Sequence, residues 1–342
     1  VEADHHHRGS TDCDNHHTMN KSELARKLIE LHPTLSKKEL GRILHKTYPD
    51  IFIDTEHARS AIRTVTGANR TGRGVIQSTK YVGPKLNMGM ANDYTPFTLN
   101  ASRIAILSDI HIPYHDRKAL YLALQWCKDF KPDTLLLNGD IIDCYQLSNF
   151  SKDPRERKFY EELEELQNFL SDLRENFEGV RIIFKLGNHS ERYERFLIDK
   201  GKDILGIKDA DGQEVLSWES ITHAKKYGHE IVTDKRIIKA GKLNIGHGHE
   251  FGKSIFSPVN PARGFYLRAK TNFIGGHYHQ TSEHIEKDLN DSVNGAWSTG
   301  CLCDLHPAYM PINRWNLGFA AVEVEGDQFT VYNKKIMNGR IV

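Results

Sequence analysis

A chain of 342 residues with 39% hydrophobic and 27% charged side chains and a formal net charge of +1 has the make-up of an ordinary globular protein, long enough for one large domain or two smaller ones. This balance excludes a disordered polyelectrolyte and a chain that binds polyanions along its whole length, and no apolar run is long enough to span a bilayer. The five cysteines show neither a framework spacing nor a CxxC pair, which argues against a disulfide scaffold or a thiolate zinc site. With no signal-peptide pattern either, the expectation is a cytoplasmic protein without a membrane partner.

Residues 1–18, with "HHH" and "NHH" and no apolar periodicity, read as a tag or disordered leader. Residues 19–67 read as three short helices. The first carries Leu24, Leu28 and Leu31 at helical spacing. The second opens on the capping box "SKKE" and buries Leu40, Ile43 and Leu44. The third starts near Asp54 and stops at Gly67. Between Lys21 and Arg63 there are nine Lys/Arg against six Asp/Glu. The unit therefore reads either as a helix-turn-helix that binds DNA or as a small packing bundle. Arg59 and Arg63, four residues apart on one helical face, with the following Arg70 and Arg73, are the expected phosphate contacts. Residues 68–100, rich in Gly, Asn, Thr and Pro, read as a linker.

From residue 101 to 342 the pattern changes. "RIAILSD" reads as a strand, "RKALYLALQWCKDF" as an amphipathic helix and "DTLLLNGD" as a second strand. Residues 155–177 form an acidic helix with Tyr160, Leu163, Leu166, Leu170 and Leu173 as its apolar stripe. "VRIIFKLGNH" is a third strand. Alternating strands and helices predict a mostly parallel α/β sheet, whose site lies beyond the carboxyl ends of its strands. "KLNIGHGHE" and "TNFIGGHYH" again end apolar runs in histidine. Shorter strands without helices follow, in "AWSTGCL", "GFAAVEVE" and "QFTVYNKK"; Cys301 and Cys303 share a strand face there and read as structural.

Five apolar runs thus deliver Asp109 and His111, Asp140, Asn188 and His189, His247, and His277 with His279 to one sheet edge. A single "GD" or "GNH" is an ordinary turn, but turns do not account for all five in order. Imidazole, carboxylate and one amide oxygen, without thiolate, suit two divalent ions: manganese first, with iron, zinc or cobalt as alternatives. One carboxylate can bridge such a pair, about 3.5–4 Å apart, which activates a shared water and clamps a phosphate.

The ordered motifs "DIH", "GDIID", "GNH", "GHGH" and "GHYH" resemble those of the calcineurin-like metallophosphoesterase superfamily over roughly residues 102–300. The resemblance implies a four-layer αββα sandwich and hydrolysis of phosphoesters by a hydroxide bridging two metals. It also implies that Asp109, His111 and His279 hold the first metal, that Asn188, His247 and His277 hold the second, and that Asp140 bridges. His189 would protonate the leaving oxygen.

The sequence departs from the superfamily pattern at two places. Ser190 follows the "GNH" histidine where an acidic residue is common, so Glu191 or Asp143 is left to orient His189. The Asp-Arg-Gly of the protein Ser/Thr phosphatases is absent from "GDIIDCYQ", which makes Arg192 the substitute phosphate contact. His115 and His249 are candidates for supporting roles around the metals. A helical unit before this domain, in "ELARKLIELHPTLSKKELGRIL" and "EHARSAIR", resembles phage or mobile-element members. The leading expectation is a nucleic acid or nucleotide phosphodiester as substrate. A protein or small-molecule phosphomonoesterase, and a DNA-binding or scaffold protein on an inactive hydrolase fold, are the alternatives.

Overall fold

The computed structural model describes residues 20–67, 94–153, 155, 158–233, 235–252 and 259–342. The leader at 1–18, most of the expected linker, and Arg70 and Arg73 lie outside the described residues. The chain divides into two units, Val1–Ala91 and Asn92–Val342.

In the first unit, α1 (Lys21–Leu31), α2 (Lys37–Thr47) and α3 (Thr55–Val65) form because each start has a side chain to accept its free amide hydrogens. Asn20 with Glu23 and Ser36 with Glu39 make capping boxes, and the Asp54 carboxylate accepts from the His57 amide at 2.7 Å. Leu24, Ile29, Leu40, Leu44, Ala58 and Ile62 meet in one core around Phe52, which comes from the α2–α3 connection. Leu31, expected inside, is 65% exposed, because α1 ends on it and the stripe runs instead through Ala25 and Ile29.

Among the described residues, the second unit is built on thirteen strands. They are β1 (Phe97–Thr98), β2 (Arg103–Leu107), β3 (Thr134–Asn138), β4 (Arg181–Lys185), β5 (His229–Val232), β6 (Ile238–Ala240), β7 (Leu243–Ile245), β8 (Phe273–Gly275), β9 (Ser282–Lys287), β10 (Val293–Ser298), β11 (Leu317–Glu325), β12 (Gln328–Met337) and β13 (Arg340–Ile341). A seven-stranded sheet runs β13-β12-β11-β2-β3-β4-β5, and a six-stranded sheet runs β1-β6-β7-β8-β10-β9. β2 to β5 are parallel, as the alternation with helices predicts. The sheets are nonetheless mixed: β11, β12 and β13 pair antiparallel, and so do β9 and β10. Short connections without helices allow only that direction.

The two sheets face each other through Ile104, Ile106, Leu136, Ile183, Ile245, Ile274, Ala320 and Val322. On the outside of the larger sheet, α4 (Arg117–Phe130), α5 (Phe159–Asn176) and α6 (Ser190–Lys200) pack through Ala123, Cys127, Leu166, Leu170, Leu173 and Leu197. On the outside of the smaller sheet, the helix Pro261–Ala269 sets Phe265 and Tyr266 against Phe273 and Ala296. The fold is a four-layer αββα sandwich preceded by three helices. Among the described residues no helix is long and apolar enough to cross a membrane.

One turn of α5 departs from the predicted stripe. Tyr160 is 66% exposed, and the buried face begins at Glu162. The Glu162 carboxylate accepts from the Tyr145 amide at 3.2 Å, just beyond the end of β3. Burial and the nearby Asp143 charge push its pKa up from 4.5 to about 8. The folded chain therefore holds this proton more tightly than the unfolded chain. Its contribution to stability is greatest below pH 4.5 and falls as pH rises towards about 8. Glu162→Gln, which keeps an acceptor oxygen without the charge, should remove that decline. The melting temperature of the variant should gain on wild type across this window, and parallel pH profiles for the two proteins would refute the assignment.

Candidate metal centre

β2, β3 and β4 are neighbours in one sheet, and β7 and β8 are parallel neighbours in the other. Their carboxyl ends carry the residues singled out in the sequence, and the turns that follow are tight. Asp109, His111, Asp140, His277 and His279 all have positive φ, between 50° and 68°. Side chains with a Cβ avoid this region unless the surroundings fix it. Backbone bonds do so here: the His111 amide donates to the Asp140 carbonyl at 2.9 Å, and the Leu302 amide donates to the Asp109 carbonyl at 3.0 Å. Two glycines make room. A Cβ on Gly139, itself at φ +83°, would lie 2.3 Å from the His247 ring, and one on Gly187 would lie 2.3 Å from Asp140 Oδ1.

The ligand atoms fall into two sets. On one side, His279 Nε2 is 3.1 Å from Asp109 Oδ1, and His111 Nε2 is 3.2 Å from His279 Nε2. On the other, Asp140, His247 and His277 offer atoms within 4.8 Å of one another, with His247 Nε2 3.0 Å from Asp140 Oδ2. Asp140 also belongs to a group with His111 and His189, so its carboxylate lies between the two sets. The His247 Nδ1–H donates to the Asn138 carbonyl at 2.9 Å, which turns Nε2 inward.

Burial alone would raise the Asp109 and Asp140 carboxyls, but the surrounding imidazoles outweigh it and hold both below the usual range, Asp140 the further. Burial likewise opposes a charged His247, but Asp140 and Asp109 outweigh it and lift its pKa to about 9. Burial and the neighbouring His247 charge push His277 down to about 4, so its imidazole is neutral at ordinary pH. The residues fit a pair of divalent ions. Their donors are imidazole, carboxylate and amide oxygen, and among the described residues the buried Asn188 Oδ1 finds no hydrogen-bond partner.

Of the two groups proposed to orient His189, Asp143 does so. Its carboxylate lies 3.0 Å from His189 Nδ1 and 2.8 Å from His111 Nδ1, and its carbonyl accepts from His189 at 2.9 Å. Glu191 instead accepts from His249 Nε2 at 2.9 Å and pairs with Lys235 at 3.2 Å, so it does not orient His189. Arg192 is at the site, with Nη1 donating to the Asp143 carbonyl at 2.9 Å and Nη2 3.0 Å from His189 Nε2. His249 stands behind His247, ring centroids 5.3 Å apart, whereas His115 forms a backbone bridge with Cys303. In the first unit Arg59 and Arg63 are both ion-paired with Glu56, at 3.3 and 2.7 Å.

Sequence reasoning missed three contributors. Cys303, read as merely structural, places its sulfur 3.9 Å from His279 Nδ1. Trp315 packs edge-on against the His279 ring at 4.2 Å. Glu250 accepts from the His247 and Gly248 amides at 2.9 and 2.6 Å and pairs with fully buried Lys185 at 2.6 Å. A lysine inside the apolar run "RIIFK" was the available signal for the last.

The sequence profile of the calcineurin-like phosphoesterases matches residues 102–280. The Gene 54 proteins of Mycobacterium phages L5 and D29 are each 24% identical to this chain, over alignments that cover 70% of it and 96% of the phage protein. Among solved structures, Vacuolar Protein Sorting 29 from Cryptosporidium parvum aligns at 12% identity and a TM-score of 0.38, covering 71% of this chain and 95% of that one. A dimetal phosphatase from Danio rerio aligns at 10% identity and a TM-score of 0.35, covering 68% and 96%.

The central position of Asp140 has a measurable consequence. After loading with Mn2+ and dialysis, Asp140→Asn should lose metal from both sets of ligands, whereas His279→Ala should lose mainly one ion. Elemental analysis reads the difference, and full retention by Asp140→Asn would remove Asp140 from the bridging position.

Proposed function

The chain belongs to the calcineurin-like phosphoesterase family, and from that premise we propose that it cleaves phosphodiester bonds of a nucleic acid or nucleotide at a two-metal centre. The observation that carries this reading is the buried Asp140 carboxylate lying between two sets of ligand atoms. Asp109, His111 and His279 would hold one ion, Asn188, His247 and His277 the other, and Asp140 both. Manganese is the ion expected at the carboxylate and amide oxygens, with iron, zinc or cobalt as alternatives that suit the imidazoles. Bound there, the ions would supply Lewis acidity towards the phosphoryl oxygens and would lower the pKa of a water.

The other residues handle protons and charge. Asp143 is held well below the usual carboxylate range, because hydrogen bonds from His111 and His189 overcome its burial. It therefore stays ionised and fixes both imidazoles through their Nδ1 atoms. His189 Nε2, 3.9 Å from Asp140 Oδ2, faces the ligand sets and accepts from Arg192 Nη2 at 3.0 Å, so it would take up a proton and deliver it to the leaving oxygen once Arg192 turns to the phosphate. The Arg192 guanidinium beside it is placed to take a phosphate oxygen in a charge-assisted bond. The excess of Lys/Arg between Lys21 and Arg63 supports a polyanionic substrate brought in by the first unit.

Two experiments test this. His189→Ala should keep its metals and lose about 10²–10⁴ in rate, with a smaller loss on nitrophenyl esters, whose leaving group needs little protonation. An equal loss on all leaving groups would assign His189 to phosphate positioning. Neutralising Arg59, Arg63, Arg70 and Arg73 together should weaken duplex binding and flatten the slope of log affinity against log salt by about 0.9 for each phosphate that the protein no longer neutralises. Fluorescence anisotropy reads both quantities, and absence of DNA binding by the full chain at low salt would refute delivery by the first unit.

A further inference from the structure

A cavity of about 360 Å³ opens directly beside the first set of ligands, with His111 and His279 in its wall. Any group in it is adjacent to a phosphate held by those ligands. Its other walls are aromatic: Tyr114, Tyr145, Tyr309 and Trp315. Tyr114 and Tyr145 meet edge to face at 6.3 Å, and Tyr309 and Trp315 at 6.4 Å. Tyr309 is 74% exposed, so it stands at the mouth with much of its ring uncovered. Aromatic walls of this kind offer several π-faces to a planar ligand.

Charge narrows the choice. Among the described residues, the charged non-histidine side chains lining the cavity are Asp143 and Asp304, and no lysine or arginine lines it. A second phosphate would meet two carboxylates, whereas a neutral ring with N–H donors on its edge would find acceptors. Size narrows it further. The volume lies near the lower end of small-molecule sites, enough for one base and its sugar but not for a stacked duplex.

We propose that this cavity binds the nucleoside attached to the scissile phosphate, its base stacked among Tyr309, Trp315 and the two inner tyrosines. This rests on the phosphodiesterase reading above and specifies its substrate as a free nucleotide ester or an unpaired strand end. Both present the same single base.

The test uses the metal-loaded full chain and two esters with one leaving group: thymidine p-nitrophenyl phosphate and methyl p-nitrophenyl phosphate. Wild type should favour the nucleoside ester by about tenfold or more in kcat/KM, the scale set by one stacked base. Tyr309→Ala should lose most of that preference through KM, and Tyr309→Phe should keep it. No preference in wild type, or full retention in Tyr309→Ala, overturns the proposal. Faster cleavage of a single-stranded oligonucleotide than of a blunt duplex assigns the base to a strand end, and turnover of the nucleoside ester alone assigns it to a free nucleotide. If neither ester is hydrolysed with any metal, the phosphodiesterase reading fails. Calorimetry with thymidine monophosphate still judges the cavity: binding weakened about tenfold by Tyr309→Ala supports it, and no binding to wild type overturns it.

Discussion

Two carboxylates, Asp109 and Asp140, are buried to 0% and 1% exposure at the seam between two sheets, and the rest of the unit is arranged to make that tolerable. An ionised carboxylate taken out of water costs several kcal/mol even after relaxation, unless opposite charge and hydrogen bonds compensate it. Here the compensation is local and dense. His247 and His279 lie within 3.1 Å of the carboxylate oxygens, and the amides of His189 and His277 donate to them at 2.9 Å. In the proposed centre the His247 and His279 imidazoles would serve as metal ligands once their protons leave, so what stabilises the folded apoprotein would also prepare the site for a cation.

This arrangement explains why so much of the site was readable in the sequence. A ligand at a strand end must be close in sequence to an apolar run, and the turn that delivers it must be short. The result is a compact motif: strand, glycine, ligand. "GD" and "GN" keep glycine because the next layer of the site occupies the space of its Cβ. The helical caps were legible for the same reason, since Ser36 and Glu39 act on backbone three residues away.

What was not legible depends on contacts between distant parts of the chain. Glu162 replaces Tyr160 on the buried face of α5 because the segment after β3 presents an amide there, and nothing near residue 162 in sequence announces that partner. The choice of Asp143 over Glu191 as the partner of His189 turns on the path of the chain after β3, which brings Asp143 between two imidazoles while α6 points Glu191 at His249. The aromatic wall combines Tyr114 and Tyr145 from two early loops with Tyr309 and Trp315 from a loop some 160 residues later. Periodicity carries no information about such a meeting.

The remaining question is how two sheets that touch mainly through aliphatic side chains keep the residues at their strand ends in register. Apolar packing between them is non-directional and tolerates small sliding. The directional ties are concentrated at the strand ends. The Asn138 amide at the end of β3 donates to the Gly246 carbonyl after β7 at 2.8 Å, and the Asn138 carbonyl accepts from His247 at 2.9 Å. Lys185 at the end of β4 pairs with Glu250 after β7 at 2.6 Å; the lysine is fully buried and the glutamate side chain nearly so. The Asp109 carboxylate after β2 accepts from the amide of His277 after β8. Each tie joins one sheet to the other and involves a ligand or a residue within three positions of one. A buried ion pair such as Lys185–Glu250 is a poor source of net stability, because desolvation consumes most of its attraction. Its value lies in geometry: any slide that lengthened it would leave two charges unpaired inside the protein. The polar seam thus fixes the register that the hydrophobic interior leaves loose, and it does so where the chemistry needs it.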